Sequence, residues 1–399
     1  MLIQQAPPRR DGAAARDERR PVASRASSER VASAAAHPLL ASAAVTLALL
    51  VALNLLLALP ALRRPLDVRG DGLLAYGRLQ TCESLGRAPD VLFLGSSRAL
   101  YAADAHQVDN TMRSLGRPTL SCNLGRMGAS FANDYYTFKR LVEDGYTPQL
   151  LVENLWENNL NVNMRTTADN QGTNLAQEVR LADLGDLPDL RAHLGMEGLP
   201  ALPEFIADKT LPLYGERIGL LRTLCGASTF GPCGVNTVEW DRNTQQVYRR
   251  ADDRGWTAMS GYSLANIPTQ ALATQYRTLY ANILPGTRHF QIGGQQPDYL
   301  ARLVALARAH GVRVALVVSP VAPLYLKFFD HASDWSRIMA YWRAFATAHG
   351  VPFFDDSLAH GYVLADFQDP HHLTASGAIK FSAWMARAIV APALAAPTR

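Results

Sequence analysis

Two apolar runs, in PDVLFLGSS (Pro89 to Ser97) and GVRVALVVSP (Gly311 to Pro320), constrain the fold of this chain more than any other feature. Each is short, rich in branched aliphatic residues and closed by small or turn-forming ones, as expected of a strand buried on both faces. Three further strands are expected, in PTLSCNLG before Gly125, in PQLLVENLW (Pro148 to Trp156) and in VPFFD (Val351 to Asp355). Helical patterns fall between them, at 99–115, 133–143, 297–310, 333–349 and 375–390. Strands alternating with helices at this spacing predict an α/β fold with a mostly parallel five-stranded sheet and helices on both faces. Ligands in such sheets gather outside the carboxyl ends of the strands, so the small and polar residues there are the first place to look for chemistry.

The rhythm fails between Asn158 and Gln291, a stretch too long for one connection within a compact sheet. We read 158–291 as an inserted cap or helical subdomain, which splits the α/β domain into 88–157 and 292–399, with a linker and lead-in helix at 63–87. With 48% hydrophobic and 19% charged residues, the 399-residue chain can bury a sizeable core. The net charge of +4 is small, and neither a basic patch interleaved with aromatics nor a zinc-finger spacing is present, which argues against nucleic acid as a partner.

Residues 1–37 are rich in Ala, Arg, Ser and Pro and are expected to form a disordered tail. Pro38 to Leu62 carries no charge, a length that crosses a hydrocarbon layer of about 30 Å as a helix. No A-x-A cleavage site follows it, so a retained single-pass anchor is favoured over a signal peptide. Seven arginines and four acidic residues precede the span, which predicts a cytoplasmic tail and an exported body. For a bacterial envelope this means the inner membrane, with the body in the periplasm. All four cysteines lie beyond the span, with Cys82 and Cys122 flanking the first strand–helix unit and Cys225 and Cys233 enclosing CGASTFGPC. Two disulfides suit an oxidising compartment, against the alternative of four unpaired small hydrophobes.

Ser97 follows the first strand at a strand-to-helix turn, where a hydroxyl is held out of the sheet and its own N–H can help hold an oxyanion. The plainer reading is that Ser96 or Ser97 caps the helix. A serine nucleophile needs a base and the base an acceptor, and QDPHHLTASG (Gln368 to Gly377) supplies candidates for both. Asp369 and His372 are three apart and share one side of a helical turn; Asp369 with His371 is the alternative pairing.

GSS after the first strand, N-x-G-x-x-G-x-S (Asn123 to Ser130) after the second and D-x-x-H-L-x-x-x-G (Asp369 to Gly377) near the C-terminus resemble, in order and placement, the SGNH (GDSL-like) hydrolase superfamily. The resemblance covers about 88–157 and 296–392. It implies a flavodoxin-like three-layer α/β/α fold, with Ser97 as nucleophile, His372 as base and Asp369 as its partner. It also implies an oxyanion hole from the N–H groups of Ser97 and Gly128. The family's G-x-N-D stretch is replaced here by ENLWENN, in which Asn154 stands nearest the strand end and Asn158 and Asn159 are substitutes. Arg98, Asn158, Asn159 and His371 are expected to contact substrate, and Glu153 and Glu157 either line the pocket or face water.

Together with the apolar span, the outline resembles membrane-anchored SGNH proteins that act with multispan membrane-bound O-acyltransferases in teichoic-acid D-alanylation and exopolysaccharide acetylation. The resemblance implies acetyl transfer through an acyl-serine to a cell-envelope or secreted polysaccharide. An acylesterase with the same residues is the alternative, and a non-catalytic polysaccharide-binding or assembly protein a third. No P-loop, dinucleotide fingerprint or paired-histidine metal motif is present, so neither cofactor nor metal is expected.

Overall fold

The structure is a computed structural model that describes residues 26–59, 61–63, 65, 75–163, 181–191, 201–217, 219–220, 223, 247–259, 263–267, 284–359 and 361–395. The chain divides into two units, Met1–Leu55 and Leu56–Arg399. Within the first lies most of helix α1 (Ala26–Leu57). Residues 26–37, expected as tail, are therefore helical: the run reads as low complexity, yet its five alanines with Glu29 and Arg30 are good helix formers. Leu40–Leu57 is long and apolar enough to cross a membrane, and its leucines and valines up to Leu56 stand exposed around its circumference.

The second unit is built on five parallel strands, β1 (Val91–Gly95), β2 (Ser121–Asn123), β3 (Leu150–Asn154), β4 (Arg313–Val318) and β5 (Phe353–Asp355), in the order 2-1-3-4-5. This is the doubly wound order of flavodoxin-like sheets. Every residue of β1 and β3 is buried, as the apolar runs VLFL and LLV require, and β3 carries Glu153 and Asn154 into the interior with it. Alternation along the strands feeds two hydrophobic cores. Leu92, Leu94, Leu151 and Leu316 face one, with helices α5 (Phe131–Glu143), α7 (Gln296–Ala309) and α8 (Asp334–Ala348). Val91, Phe93, Val152 and Val317 face the other, with α4 (Ala105–Ser114) and α9 (Ala375–Met385). The sheet and its two helical layers thus form the expected three-layer sandwich.

Ala375–Ala395 is also apolar enough to pass as a span, yet Phe381, Met385, Ile389 and Val390 are buried against the sheet, as in a core helix. Cys82, in α2 (Tyr76–Glu83), is disulfide-bonded to Cys122 in β2, which staples the lead-in helix to the sheet edge. Cys225 and Cys233 lie outside the described residues. The long helix expected over 99–115 is two helices, α3 (Ser97–Ala102) and α4, because Asp104 ends one and caps the next, accepting from the Gln107 N–H. Described parts of the 158–291 stretch pack onto the sandwich: Leu160, Leu181, Leu190 and Phe205, the last in α6 (Ala201–Thr210), join the first core.

Candidate active site

The backbone at the end of β1 sets the site. Gly95 has φ 130°, and a Cβ there would stand 2.6 Å from the Asn154 carbonyl oxygen, so only glycine lets β1 turn into α3 at this point. Ser96 is the cap: its side chain accepts from the Arg98 N–H. Of the two serines it is therefore Ser97, the first helical residue, whose hydroxyl is left for other work.

That hydroxyl lies 2.8 Å from Nε2 of His372, and Nδ1 of His372 lies 2.6 Å from Oδ2 of Asp369. The second oxygen of Asp369 accepts the backbone N–H groups of His371 and His372, both at 2.9 Å. Burial alone would raise the Asp369 pKa. The charges of His372 and His371 and these hydrogen bonds outweigh it and hold the carboxyl below the usual carboxylate range. An ionised Asp369 only accepts, so the His372 proton sits on Nδ1 and Nε2 is left to receive one from Ser97. The edge of Tyr101 stands against the His372 ring at 5.2 Å and fixes its plane.

The geometry that joins Asp369 to His372 differs from the helical turn expected. Both lie on a small antiparallel hairpin, β6 (Phe367–Asp369) and β7 (His372–Leu373), where they are register partners. The helix starts only at α9, where Thr374 caps by accepting from the Gly377 N–H. Pro370 forces the chain to turn between the two strands, and the Asp369 carboxylate holds the turn by accepting both N–H groups beyond it.

Asn123 locks the second motif block, donating to the carbonyls of Ala99 and Ala103 at 2.9 and 2.8 Å and accepting from the Gly125 N–H at 2.8 Å. The turn that follows places Gly128 at φ 66°, and Ser130 is the cap of α5. Among the described residues, neither the Ser97 nor the Gly128 amide has a hydrogen-bond partner. Asn154 pairs in register with Gly95 and is buried, yet its side-chain amide has no partner among the described residues. Strand alternation puts it on the face that carries β6, β7 and α9, whereas Glu153 faces the opposite core. Burial and the neighbouring Asp134 raise Glu153 well above the usual carboxylate range.

Of the four expected substrate contacts, three are buried and Asn159 is half-buried. Arg98 is buried, with its guanidinium given to Glu157 at 2.6 Å and to the hydroxyl and carbonyl of Ser319 at 3.1 and 2.5 Å. His371 is buried between the rings of His372 and Tyr325, and burial together with the His372 charge lowers its pKa to about 3. Asn158 is buried against Gly286, and Asn159 is half-buried in the turn after β3. Helical spacing cannot tell a buried arginine from an exposed one, which is why Arg98 reads as a contact in the sequence. Tyr101, Ser319 and Tyr325 carry no motif that would single them out. Asp369, His371 and His372 lie close enough together to hold a cation, but both ring nitrogens of His372 are already engaged by Asp369 and Ser97.

A family model matches residues 292–393, less than half of the chain. No curated protein matches. Among solved structures, the chain is similar to a crystal structure described as a candidate acylhydrolase from Bacteroides fragilis NCTC 9343. The two are 14% identical with a TM-score of 0.35, over 79% of this chain and 95% of that one. At that TM-score the similarity carries no functional weight, and function rests on the site.

Proposed function

We propose that this chain performs serine-dependent acyl chemistry at Ser97 and, more specifically, that it is a membrane-anchored O-acyltransferase acting on a cell-envelope or secreted polysaccharide. The observation that carries the reading is the unbroken line from the Ser97 hydroxyl through both nitrogens of His372 to Asp369. His372 takes the Ser97 proton as Oγ attacks the acyl carbonyl, and Asp369 stabilises the imidazolium. The developing oxyanion is received by the N–H groups of Ser97 and Gly128 and by the Asn154 amide, whose lack of any other partner fits the role. The leaving group departs with the proton from His372. A sugar hydroxyl, deprotonated in turn by His372, then attacks the acyl-serine; the bond to Ser97 Oγ breaks, His372 returns the proton to that oxygen, and the sugar leaves as the ester.

Transfer, acetyl as the acyl group and a multispan membrane-bound O-acyltransferase as donor rest on the resemblance of the motif set and on the apolar helix Leu40–Leu57. Ester hydrolysis is the second reading, favoured by one observation: Ser97 is half-buried rather than enclosed, so water can reach the acyl-enzyme. The test is the full chain in detergent, incubated with a fluorophosphonate and then with an acetyl ester and candidate polysaccharides. Ser97 is expected to carry the label, and acetyl groups to arrive on the polymer. Equal labelling of Ser97→Ala would defeat the serine reading, and acetate released only into solution would favour the esterase.

A further inference from the structure

Behind the three residues of the site runs a second, fully buried polar chain that no step above uses. Glu157 sits in the turn just after β3, with Oε2 accepting from Arg98 at 2.6 Å and Oε1 accepting from the Tyr325 hydroxyl. Arg98 directly follows Ser97, and its remaining donors end on Ser319, just past β4. Tyr325 lies under the His371 ring at 5.4 Å and is wedged by Phe328, Phe329 and Trp335, with centroids 6.0, 5.7 and 6.0 Å away. Nδ1 of His371 in turn is 3.3 Å from Oδ1 of Asp369. Pro370, between the two strands of the hairpin, accepts the Ala322 N–H at 2.8 Å from the loop that carries Tyr325.

We infer that Glu157 is a positioning residue that holds both ends of the site in register, the nucleophile through Arg98 and the Asp369–His372 hairpin through Tyr325 and His371. Nucleophile and hairpin are 275 residues apart in the chain and share no local structure. Tyr101 of α3 packs directly on His372, and among the described residues Glu157 adds a buried polar link toward each side. Its carboxylate is buried and compensated by a buried guanidinium, so the pair keeps a single geometry where an exposed pair would fluctuate. Burial, followed by the Glu157 charge, raises the Tyr325 phenol well above its ordinary range, so Tyr325 remains a donor at any working pH. A loss of register matters because a displacement of about 1 Å can cost on the order of 100-fold in rate.

The inference rests on the serine reading, and the experiment separates the two. The full chain in detergent is assayed with p-nitrophenyl acetate as wild type, Ser97→Ala, Glu157→Gln and Tyr325→Phe, each with its melting temperature. Glu157→Gln and Tyr325→Phe are expected to lower kcat by about 10- to 100-fold with KM unchanged, while fluorophosphonate still labels Ser97. A change in packing alone would lower the melting temperature and leave kcat of the folded enzyme within about twofold, and that result overturns the inference. Tyr325→Phe keeps every ring contact, so it decides the matter alone should Glu157→Gln fail to fold. If Ser97→Ala is as active as wild type, the serine reading fails. If Ser97→Ala is inactive while Tyr325→Phe keeps full kcat, only the role of Glu157 fails.

Discussion

At the scale of single residues, the two adjacent histidines do different jobs although they are neighbours in sequence and in space. His372 has both ring nitrogens in line with Ser97 and Asp369; His371 is buried beside it and held neutral. His372→Ala is therefore expected to reduce kcat/KM for an acetyl ester by about 10⁴-fold. His371→Phe, which keeps the ring against Tyr325, is expected to cost about tenfold; the reverse order in steady-state kinetics would put the base on the wrong histidine. The pH dependence of stability follows from the same burial. An unfolded His371 takes up a proton near pH 6.5, whereas the folded one resists until about pH 3. Its contribution is thus complete above pH 6.5 and drains away as pH falls through that window, at about 1.4 kcal/mol per pH unit. Asp369, with a depressed pKa, adds a loss of the same sign at lower pH still. Urea melts at pH 7 and pH 4.5 are expected to differ less for His371→Phe than for wild type, and equal differences would contradict the assignment.

At the scale of elements, the short helix α3 is the part on which the site depends, and it is held from both sides. Gly125 lies so close that a Cβ there would stand 2.5 Å from the Leu100 nitrogen and 2.9 Å from the Ala99 carbonyl carbon. Gly125→Ala must push α3 and Ser97 with it, and is expected to lower ester hydrolysis about 100-fold in a chain that still expresses. Wild-type activity would show that the turn yields instead. The Cys82–Cys122 bond closes a loop with a sequence separation of 40, for which chain entropy gives about 4 kcal/mol. Reductant is expected to lower the denaturant midpoint of wild type more than that of Cys82→Ala/Cys122→Ala. The strand–helix alternation was legible at this scale because the buried strands lie in short apolar runs such as VLFL, LLV and VALVV. The β6–β7 hairpin was not, since FQD and HL lie in no apolar run that would mark a strand.

At the scale of the whole chain, the apolar helix forms its own unit up to Leu55, and the α/β body begins after it. Removing residues 1–62 is expected to shift the protein from the membrane to the soluble fraction while hydrolysis of p-nitrophenyl acetate persists. Continued sedimentation with membranes would mean that the body binds them itself. By itself, the sequence determined the five strands, most of the helices between them and an apolar run long enough to cross a membrane, because burial periodicity is a local quantity; Ser97, Asp369 and His372 were singled out by the resemblance of their motifs. Tertiary structure alone decided which serine caps and which is left for chemistry, that Arg98 and His371 are interior, and that Glu157 joins the two halves of the site. Those outcomes depend on contacts between distant segments, such as Arg98 with Ser319 and Tyr325 with Glu157, and no local pattern encodes which distant partner a buried polar group will find.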